Sequence, residues 1–260
     1  MGCTPPGVLV ASEEYAWSML SNLNAESMKA EFNREVGKRI LELTGKEVEF
    51  EHPDVVVYFD IGGGKVEVQP RAVFVKGRYR KLIRGIPQTR WPCRHCKGKG
   101  CEKCGYTGKQ YAESVDELIS APVLKVFDAE DTAFHGAGRE DIDARMLGKG
   151  RPFVIEAKLP RKRKTDLMKL EEEINQHAKG KVEVIGLEYA TKEDVHHIKE
   201  MTPLKRYLAT VDFKERVEEE ELKAALEGLE GQTIVQRTPM RVLHRRSDLA
   251  RERRVTMTEL

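Results

Sequence analysis

The chain has 260 residues, of which 40% are apolar, and its formal net charge at pH 7 is only +2. This length and composition allow one large domain or two small ones with real cores. No apolar run approaches the roughly 20 residues that a membrane-spanning helix needs, and no basic-then-apolar secretory signal opens the chain. We therefore predict a soluble, cytoplasmic protein.

The first part of the chain predicts a helix followed by strands. Asn24 could cap a helix over 24–44, which Gly45 would end. Apolar residues recur four apart along it, at Met28, Phe32, Val36 and Ile40. Three strand-like runs follow, at 48–50, 54–61 and 65–75. Three consecutive glycines, 62–64, predict the turn between the last two runs.

Four cysteines form two CxxC pairs that only four residues separate: Cys93, Cys96, Cys101 and Cys104. Each pair can present two thiolates to one ion, and four sulfur ligands favour zinc over the iron–sulfur cluster that remains an alternative. Disulfides are a weaker interpretation in a reducing cytosol. Four thiolates leave no open position for water, so we predict a structural site. Because the spacing is short, the second pair could instead take ligands from another region.

Basic residues cluster in two segments of an otherwise acidic chain. Residues 71–112 carry 12 Lys and Arg against one acidic residue, and residues 236–254 carry 7 against 2. Lys and Arg release counterions from a polyanion, so this pattern predicts a nucleic-acid partner. The metal would then hold a basic finger, residues 91–112, against RNA.

Helices and strands interleave after the cysteines. The predicted helices cover 115–121, 166–178 and 218–229, and a further helix that Thr191 could cap lies between two of the strands, 182–189 and 207–213. The other predicted strands cover 123–127, 153–159 and 233–236. A loop is predicted at 241–246. The steady alternation of a doubly wound parallel sheet is missing. We predict an α+β fold with a mixed, largely antiparallel sheet and helices on one face.

The segment 138–153, GREDIDARMLGKGRPF, combines two aspartates, three arginines and several glycines. Glycine and proline interrupt both helix and strand periods, so we predict an ordered loop. A carboxylate among guanidinium groups stays ionised at neutral pH and can act as a nucleophile. The alternative is a salt-bridged turn that only stabilises a domain.

Three sequence blocks carry a family resemblance. The block 138–141, Gly-Arg-Glu-Asp, resembles the Gly-Arg-Thr-Asp around the nucleophilic aspartate of tRNA pseudouridine synthases. GREDIDARMLG followed by GRPF is similar to the archaeal and eukaryotic branch that modifies adjacent uridines, positions 54 and 55, of the tRNA T arm. Residues 237–246 resemble the thumb loop of that branch, and residues 78–91 resemble its forefinger region. The helix and strands before residue 90 resemble the second half of a THUMP domain, an RNA-binding module.

This resemblance implies a partial THUMP-like module over 1–90, a zinc-binding basic finger over 91–112 and a synthase catalytic domain over 113–260. The family's later Gly-Thr-Tyr-Ile-Lys block and an N-terminal CxxC are absent, so we expect a chain truncated at both ends. The implied partner is tRNA. No GxGxxG or GxxxxGK[ST] loop is present, so we predict structural zinc and no organic or nucleotide cofactor.

Residue roles follow from the resemblance. Asp141 aligns with the catalytic aspartate, and Asp143 ranks second only by that alignment. Arg139 matches an arginine that fills the space of the flipped base, and Arg145 could pair with Asp141. Tyr207 stands where the family has a base-stacking tyrosine, although an ordinary core aromatic is the alternative. Three thumb-loop residues would bind phosphates or bases: Arg241, Arg245 and Arg246.

Two other functions remain open. A non-catalytic, zinc-containing RNA-binding protein would use the same basic segments and metal, with Asp141 as scaffold. A different THUMP-linked tRNA-modifying enzyme would need a nucleotide-binding loop, which the sequence lacks.

Overall fold

The computed structural model describes residues 1–20, 25–238, 240, 243 and 247–260. Over these residues the α-helices are α1 (Gly7–Leu20), α2 (Met28–Thr44), α3 (Val115–Phe127), α4 (Leu167–Ala178), α5 (Lys192–Glu200) and α6 (Glu219–Leu229). The strands are β1 (Gly2–Thr4), β2 (Val55–Asp60), β3 (Lys65–Pro70), β4 (Val73–Lys81), β5 (Asp131–Gly136), β6 (Met146–Lys158), β7 (Val182–Ala190), β8 (Thr233–Arg237) and β9 (Ala250–Arg254). The chain divides into two units, Met1–Pro203 and Leu204–Leu260.

The first sheet has the order β1-β2-β3, with β1 parallel to β2 and β2 antiparallel to β3. Helix α2 packs on it through Phe32, whose ring lies edge-on to that of Phe59 at 5.6 Å. The Ser27 side chain caps α2 by accepting from the Ala30 N–H, and Gly45 ends the helix as predicted. The predicted cap Asn24 lies outside the described residues. The predicted strand at 48–50 is wrong, because this three-residue run finds no pairing partner within the described sheet.

The second sheet has the order β5-β6-β4-β7, and every neighbouring pair is antiparallel. The predicted α+β class with antiparallel sheets is confirmed. Strand β4 precedes the cysteines in sequence and lies between β6 and β7, so residues 73–81 belong to this sheet. The predicted domain limit at residue 90 falls after that strand.

Helices cover both faces of the second sheet. Phe153 and Ile155 of β6 face a core that α3 and α4 complete. Val154 points to the opposite face, since strand side chains alternate, and there it packs with Val195 and Ile198 of α5. The predicted placement of helices on one face is therefore wrong.

Helix α3 runs unbroken through Pro122, where a helix and a strand were predicted separately. Proline removes one helical N–H and usually ends a helix. The buried stripe nevertheless continues at helical spacing past it, through Val123 and Phe127. Packing of this stripe on the sheet and α4 outweighs the local preference of 123–127 for a strand.

The predicted loop over 138–153 is half strand. Strand β6 begins at Met146 and pairs with β4, with a register shift between Tyr79 and Lys81. Gly150 has a φ of +73°, and a Cβ there would lie 2.8 Å from the Tyr79 carbonyl oxygen. The glycines that predicted a loop thus allow an irregular strand to approach its partner closely.

The second unit contains α6 and the antiparallel hairpin of β8 and β9. The predicted strand at 207–213 is wrong, since residues 204–213 are exposed and irregular. Their alternating apolar pattern favours a strand, but a strand needs a partner for its backbone N–H and C=O groups. The hairpin supplies none within the described residues.

The start of α4 offers a stability test. Asp166 caps this helix by accepting from the N–H groups of Met168 at 3.0 Å and Lys169 at 3.3 Å. Replacing Asp166 with alanine removes the acceptor of both N–H groups. We therefore expect the free energy of unfolding, measured by urea titration, to fall by about 1 kcal/mol. Lys169→Met is the control, because the 4.0 Å pair of Lys169 with Asp166 is exposed. Equal effects of the two variants would contradict a capping role.

Candidate active site and metal centre

Asp141 lies on the loop between β5 and β6 and is exposed, as is Asp143. The Asp141 carboxylate accepts a hydrogen bond from the Asp143 N–H at 3.1 Å. The backbone carbonyl of Asp141 accepts a second one from the Ala144 N–H at 3.2 Å. These bonds close a tight turn. The turn presents the Asp141 side chain at the surface rather than in the interior.

Lys81 supports this turn from below. The residue is fully buried, and its ammonium group donates to the carbonyls of Ile86, Asp141 and Ile142 at 3.0, 2.8 and 3.1 Å. Burial lowers the pKa of Lys81, and the nearby charge of Glu140 opposes that change. All three ammonium protons therefore bind backbone of the loop and of the segment after β4.

Glu140 anchors the loop next to Asp141. Its side chain is 2% exposed and lies 3.1 Å from the Arg151 Nε. The Tyr79 hydroxyl donates to Glu140 Oε2 at 2.7 Å. Burial, followed by the charge of Glu140, raises the pKa of Tyr79 well above its ordinary value, so the phenol remains a donor.

Gln88 joins the segment after β4 to the same loop. Its amide nitrogen donates to the Tyr79 hydroxyl and to the Gly138 carbonyl, both at 2.9 Å. Its amide oxygen accepts from Arg139 Nε at 3.4 Å. The arginine that the resemblance assigns to the flipped base is thus connected to the buried polar groups beneath Asp141.

Two arginines of β4 donate hydrogen bonds to backbone carbonyls of the protein itself. Arg78 donates to the carbonyls of Lys149 and Gly150 at 2.7 and 2.8 Å, and Arg80 donates to that of Gly148 at 2.8 Å. Both belong to the basic segment 71–112. Part of the charge that predicted RNA binding therefore holds the irregular start of β6.

The other predicted site residues divide between the two units. Arg145 is exposed and lies on the same loop as Asp141, directly before β6. Tyr207 belongs to the second unit and is 81% exposed, so it is not a core aromatic of that unit. The thumb-loop predictions lie outside the described residues: Arg241, Arg245 and Arg246.

The four cysteine sulfurs converge. All lie within 4.8 Å of one another, and the Sγ of Cys104 is 3.9 Å from that of Cys96 and 3.7 Å from that of Cys101. The alternative that the second pair needs ligands from elsewhere is therefore unnecessary. This cluster could hold one metal ion with all four cysteines as ligands.

The finger backbone folds tightly around these sulfurs. The N–H groups of Gly100 and Gly108 point at the Sγ atoms of Cys96 and Cys104 at 3.2 and 3.3 Å. Gly108 has a φ of +68°, and a Cβ there would lie 2.3 Å from the Gly98 carbonyl oxygen. Burial works to raise the pKa of Cys104, but backbone donors at Cys101 and Gly108 and hydrogen bonds with the Cys101 and Cys96 thiols lower that pKa to about 6. Burial and the hydrogen bond with Cys104 raise the pKa of Cys101 to about 11.

The finger also carries an exposed cationic surface, with side chains at Arg90, Arg94, Lys97, Lys99 and Lys103. Cations clustered in this way can bind the phosphates of a nucleic acid.

None of the helices in the described part of the chain combines the length and apolarity that crossing a membrane requires.

Sequence reasoning missed the buried supports of Asp141. A signal for two of them was present, because Tyr79 and Lys81 share strand parity with the apolar Val73 and Val75. Side chains of equal parity face the same side of a strand, so both were due to point inward. Nothing in the local pattern pointed to Gln88.

Two family models match the chain. The model described as "Pus10, C-terminal" covers residues 74–260, and the model described as "Pus10 THUMP domain, archaeal" covers residues 1–60. The first match begins within β4, the strand that joins the second sheet.

Curated relatives carry the name tRNA pseudouridine synthase Pus10. The protein of Methanothrix thermoacetophila is 52% identical over the whole chain, which covers 57% of that relative. The protein of Methanocaldococcus jannaschii is 53% identical over 79% of the chain and 45% of the relative. That of Methanopyrus kandleri is 47% identical over the whole chain and 61% of the relative. The chain thus spans about half to three fifths of the length of these relatives, and it belongs to the Pus10 family.

Proposed function

We propose that the chain acts as a tRNA pseudouridine synthase on uridines 54 and 55 of the T arm, with Asp141 as its catalytic residue. One observation carries this proposal: an exposed carboxylate lies on a loop that buried polar groups hold from beneath. The relatives' name supplies the reaction class, and the T-arm preference rests on the sequence blocks described above.

The reaction needs no redox agent and no external group. The glycosidic bond between C1′ and N1 of the uridine breaks, and a bond between C1′ and C5 forms. The proton that leaves C5 is balanced by the proton that N1 gains. The uridine must first leave its stack to reach a protein side chain. Asp141 is the group that engages the extruded uridine, and Arg139 occupies the vacated space.

We assign zinc to the four-cysteine cluster as a structural ion. Four thiolates in tetrahedral arrangement are a common zinc site, and they leave no position for a reacting water. The ion would hold the finger in shape so that its exposed cations meet tRNA phosphates. Tyr207, Arg145 and the thumb-loop arginines are further proposed contacts of the substrate.

The domain division is also a proposal. It consists of a THUMP-like RNA-binding module up to residue 90, a metal-binding finger over 91–112 and a synthase part over 113–260. Because tRNA is the proposed substrate, the cytoplasm is the proposed compartment, and the proposal requires neither a membrane nor a nucleotide cofactor.

The test uses the full chain and two tRNA transcripts. One transcript is unmodified, and the control has cytidine in place of uridines 54 and 55. Pseudouridine is mapped after incubation, and tRNA binding is measured alongside. We expect product at these two positions and none in the control. Tight binding without product would instead favour the non-catalytic RNA-binding protein, and product elsewhere would overturn the T-arm assignment.

A further inference from the structure

We infer that Lys81 and Glu140 are positioning residues that set the place of the Asp141 carboxylate. This inference rests on the proposed function and adds two residues that do not touch the substrate. Both side chains are buried, and both act on the loop at or beside Asp141. Neither reaches the exposed surface on which the Asp141 carboxylate lies.

Lys81 fixes the backbone of the loop. Its ammonium group binds the carbonyl of Asp141 itself and that of the following residue, Ile142, at 2.8 and 3.1 Å. Its third proton goes to the Ile86 carbonyl at 3.0 Å, in the segment after β4. The Gly85 N–H donates back to the Ile142 carbonyl at 2.9 Å. The catalytic loop and the forefinger-like segment are therefore joined at one buried cation.

Glu140 fixes the residue before Asp141. Its carboxylate receives the Tyr79 hydroxyl at 2.7 Å and the Gln88 amide at 3.3 Å, and lies beside the Arg151 guanidinium at 3.1 Å. A buried charge with several partners has one favourable position, because moving it away leaves the charge without partners in surroundings that solvate it poorly. The two residues thus hold the loop on both sides of the Asp141 α-carbon.

This arrangement has a kinetic consequence. Side chains that place a reacting group without binding substrate raise turnover rather than affinity, and a misplacement of about 1 Å can cost about 100-fold in rate. Loosening the loop should therefore lower kcat while leaving tRNA affinity in place. A residue that serves only folding would lower both in proportion to the folded fraction.

The test compares Lys81→Met and Glu140→Gln with two matched controls in the full chain. Lys158→Met removes a lysine whose partner is Asp131 at 2.8 Å on the exposed edge of the sheet. Glu156→Gln removes a glutamate that faces His135 at 3.3 Å. The single-turnover rate is measured at saturating tRNA, and the Kd is measured by direct binding. Hydrogen–deuterium exchange measures how fast the Ala144 amide proton exchanges with solvent.

We expect the rate to fall about 10- to 100-fold in both test variants, with Kd within about twofold of wild type and faster exchange at Ala144. Unchanged turnover in folded Glu140→Gln overturns the inference. That variant keeps the shape of the side chain, so it decides the question even if Lys81→Met does not fold. An inactive wild type would instead overturn the proposed function, and amide exchange alone would then decide whether these residues hold the loop.

Discussion

Replacing Asp141 with alanine is expected to abolish pseudouridine formation, with a fall in kcat of about a thousandfold or more. The Asp141 side chain is exposed, and its carboxylate accepts a hydrogen bond from the Asp143 N–H at 3.1 Å on its own turn. Its loss removes little packing, so the unfolding midpoint should change little. Mass spectrometry of tRNA digests measures the product, and thermal unfolding checks the fold.

Asp143→Ala is the matched control for this experiment. Asp143 is also an exposed aspartate, two residues away on the same turn. Only the alignment with Gly-Arg-Thr-Asp separates the two residues, so the pair tests the resemblance itself. Near wild-type activity of Asp143→Ala beside an inactive Asp141→Ala is the expected result. The reverse pattern would move the catalytic role to Asp143.

Binding should respond in the opposite direction to turnover. Removing a negative charge from a surface that meets phosphates reduces repulsion, so the Kd of Asp141→Ala for tRNA should be equal to or lower than that of wild type. A raised Kd together with unchanged kcat would mean that Asp141 serves binding alone.

Elements with a strong local signal could be predicted from the sequence. The sequence predicts the helices α2, α4, α5 and α6, and for α2 the signal is an apolar stripe together with a glycine at the end of the helix. Thr191, for example, caps α5 as predicted. The errors arose where packing overrides local preference, as at Pro122 in α3, or where a strand pattern lacks a partner, as at 207–213. Strand β5 and helix α1 were not predicted at all.

The candidate site divides in the same way. The four cysteines could be found because paired CxxC motifs are typical of metal sites, but their short spacing left the ligands of the second pair open until the structure brought the four sulfurs together. Asp141 came from the resemblance, since composition alone favoured a salt-bridged turn. Strand parity marked Lys81 as facing inward, but its role beneath Asp141 could not be found, because Lys81, Gln88 and Glu140 meet only through the pairing of β4 with β6. Contacts between distant segments leave no periodic signal in either one.

Removing the proposed zinc ion from the cysteine cluster is expected to unfold the finger and weaken tRNA binding. Folding of a structural zinc site depends on metal binding, which contributes about 10–16 kcal/mol in zinc-finger peptides. The finger has few apolar residues that could form a core without the metal. Its buried Trp91 packs edge-on to Tyr111, with the ring centroids 5.5 Å apart, close in sequence to the cysteines. We expect chelation to raise the Kd for tRNA by about tenfold or more at physiological salt and to make the salt dependence shallower, because the phosphate contacts of the finger are lost.

Cys104→Ser should reproduce the effect of chelation, whereas Cys3→Ser should not. Cys3 is buried in β1, and its Sγ lies 3.9 Å from the Lys29 carbonyl oxygen, away from the other four sulfurs. The metal content of the purified protein, tRNA binding at two salt concentrations and proteolysis at the finger lysines together measure the outcome. An unchanged Kd in metal-free protein would leave the ion without a part in RNA binding. Loss of turnover at an unchanged Kd would instead mean that the finger acts on the catalytic loop. Residues 88–91 connect the two, since Trp91 begins the finger and Gln88 donates to the Gly138 carbonyl of the loop.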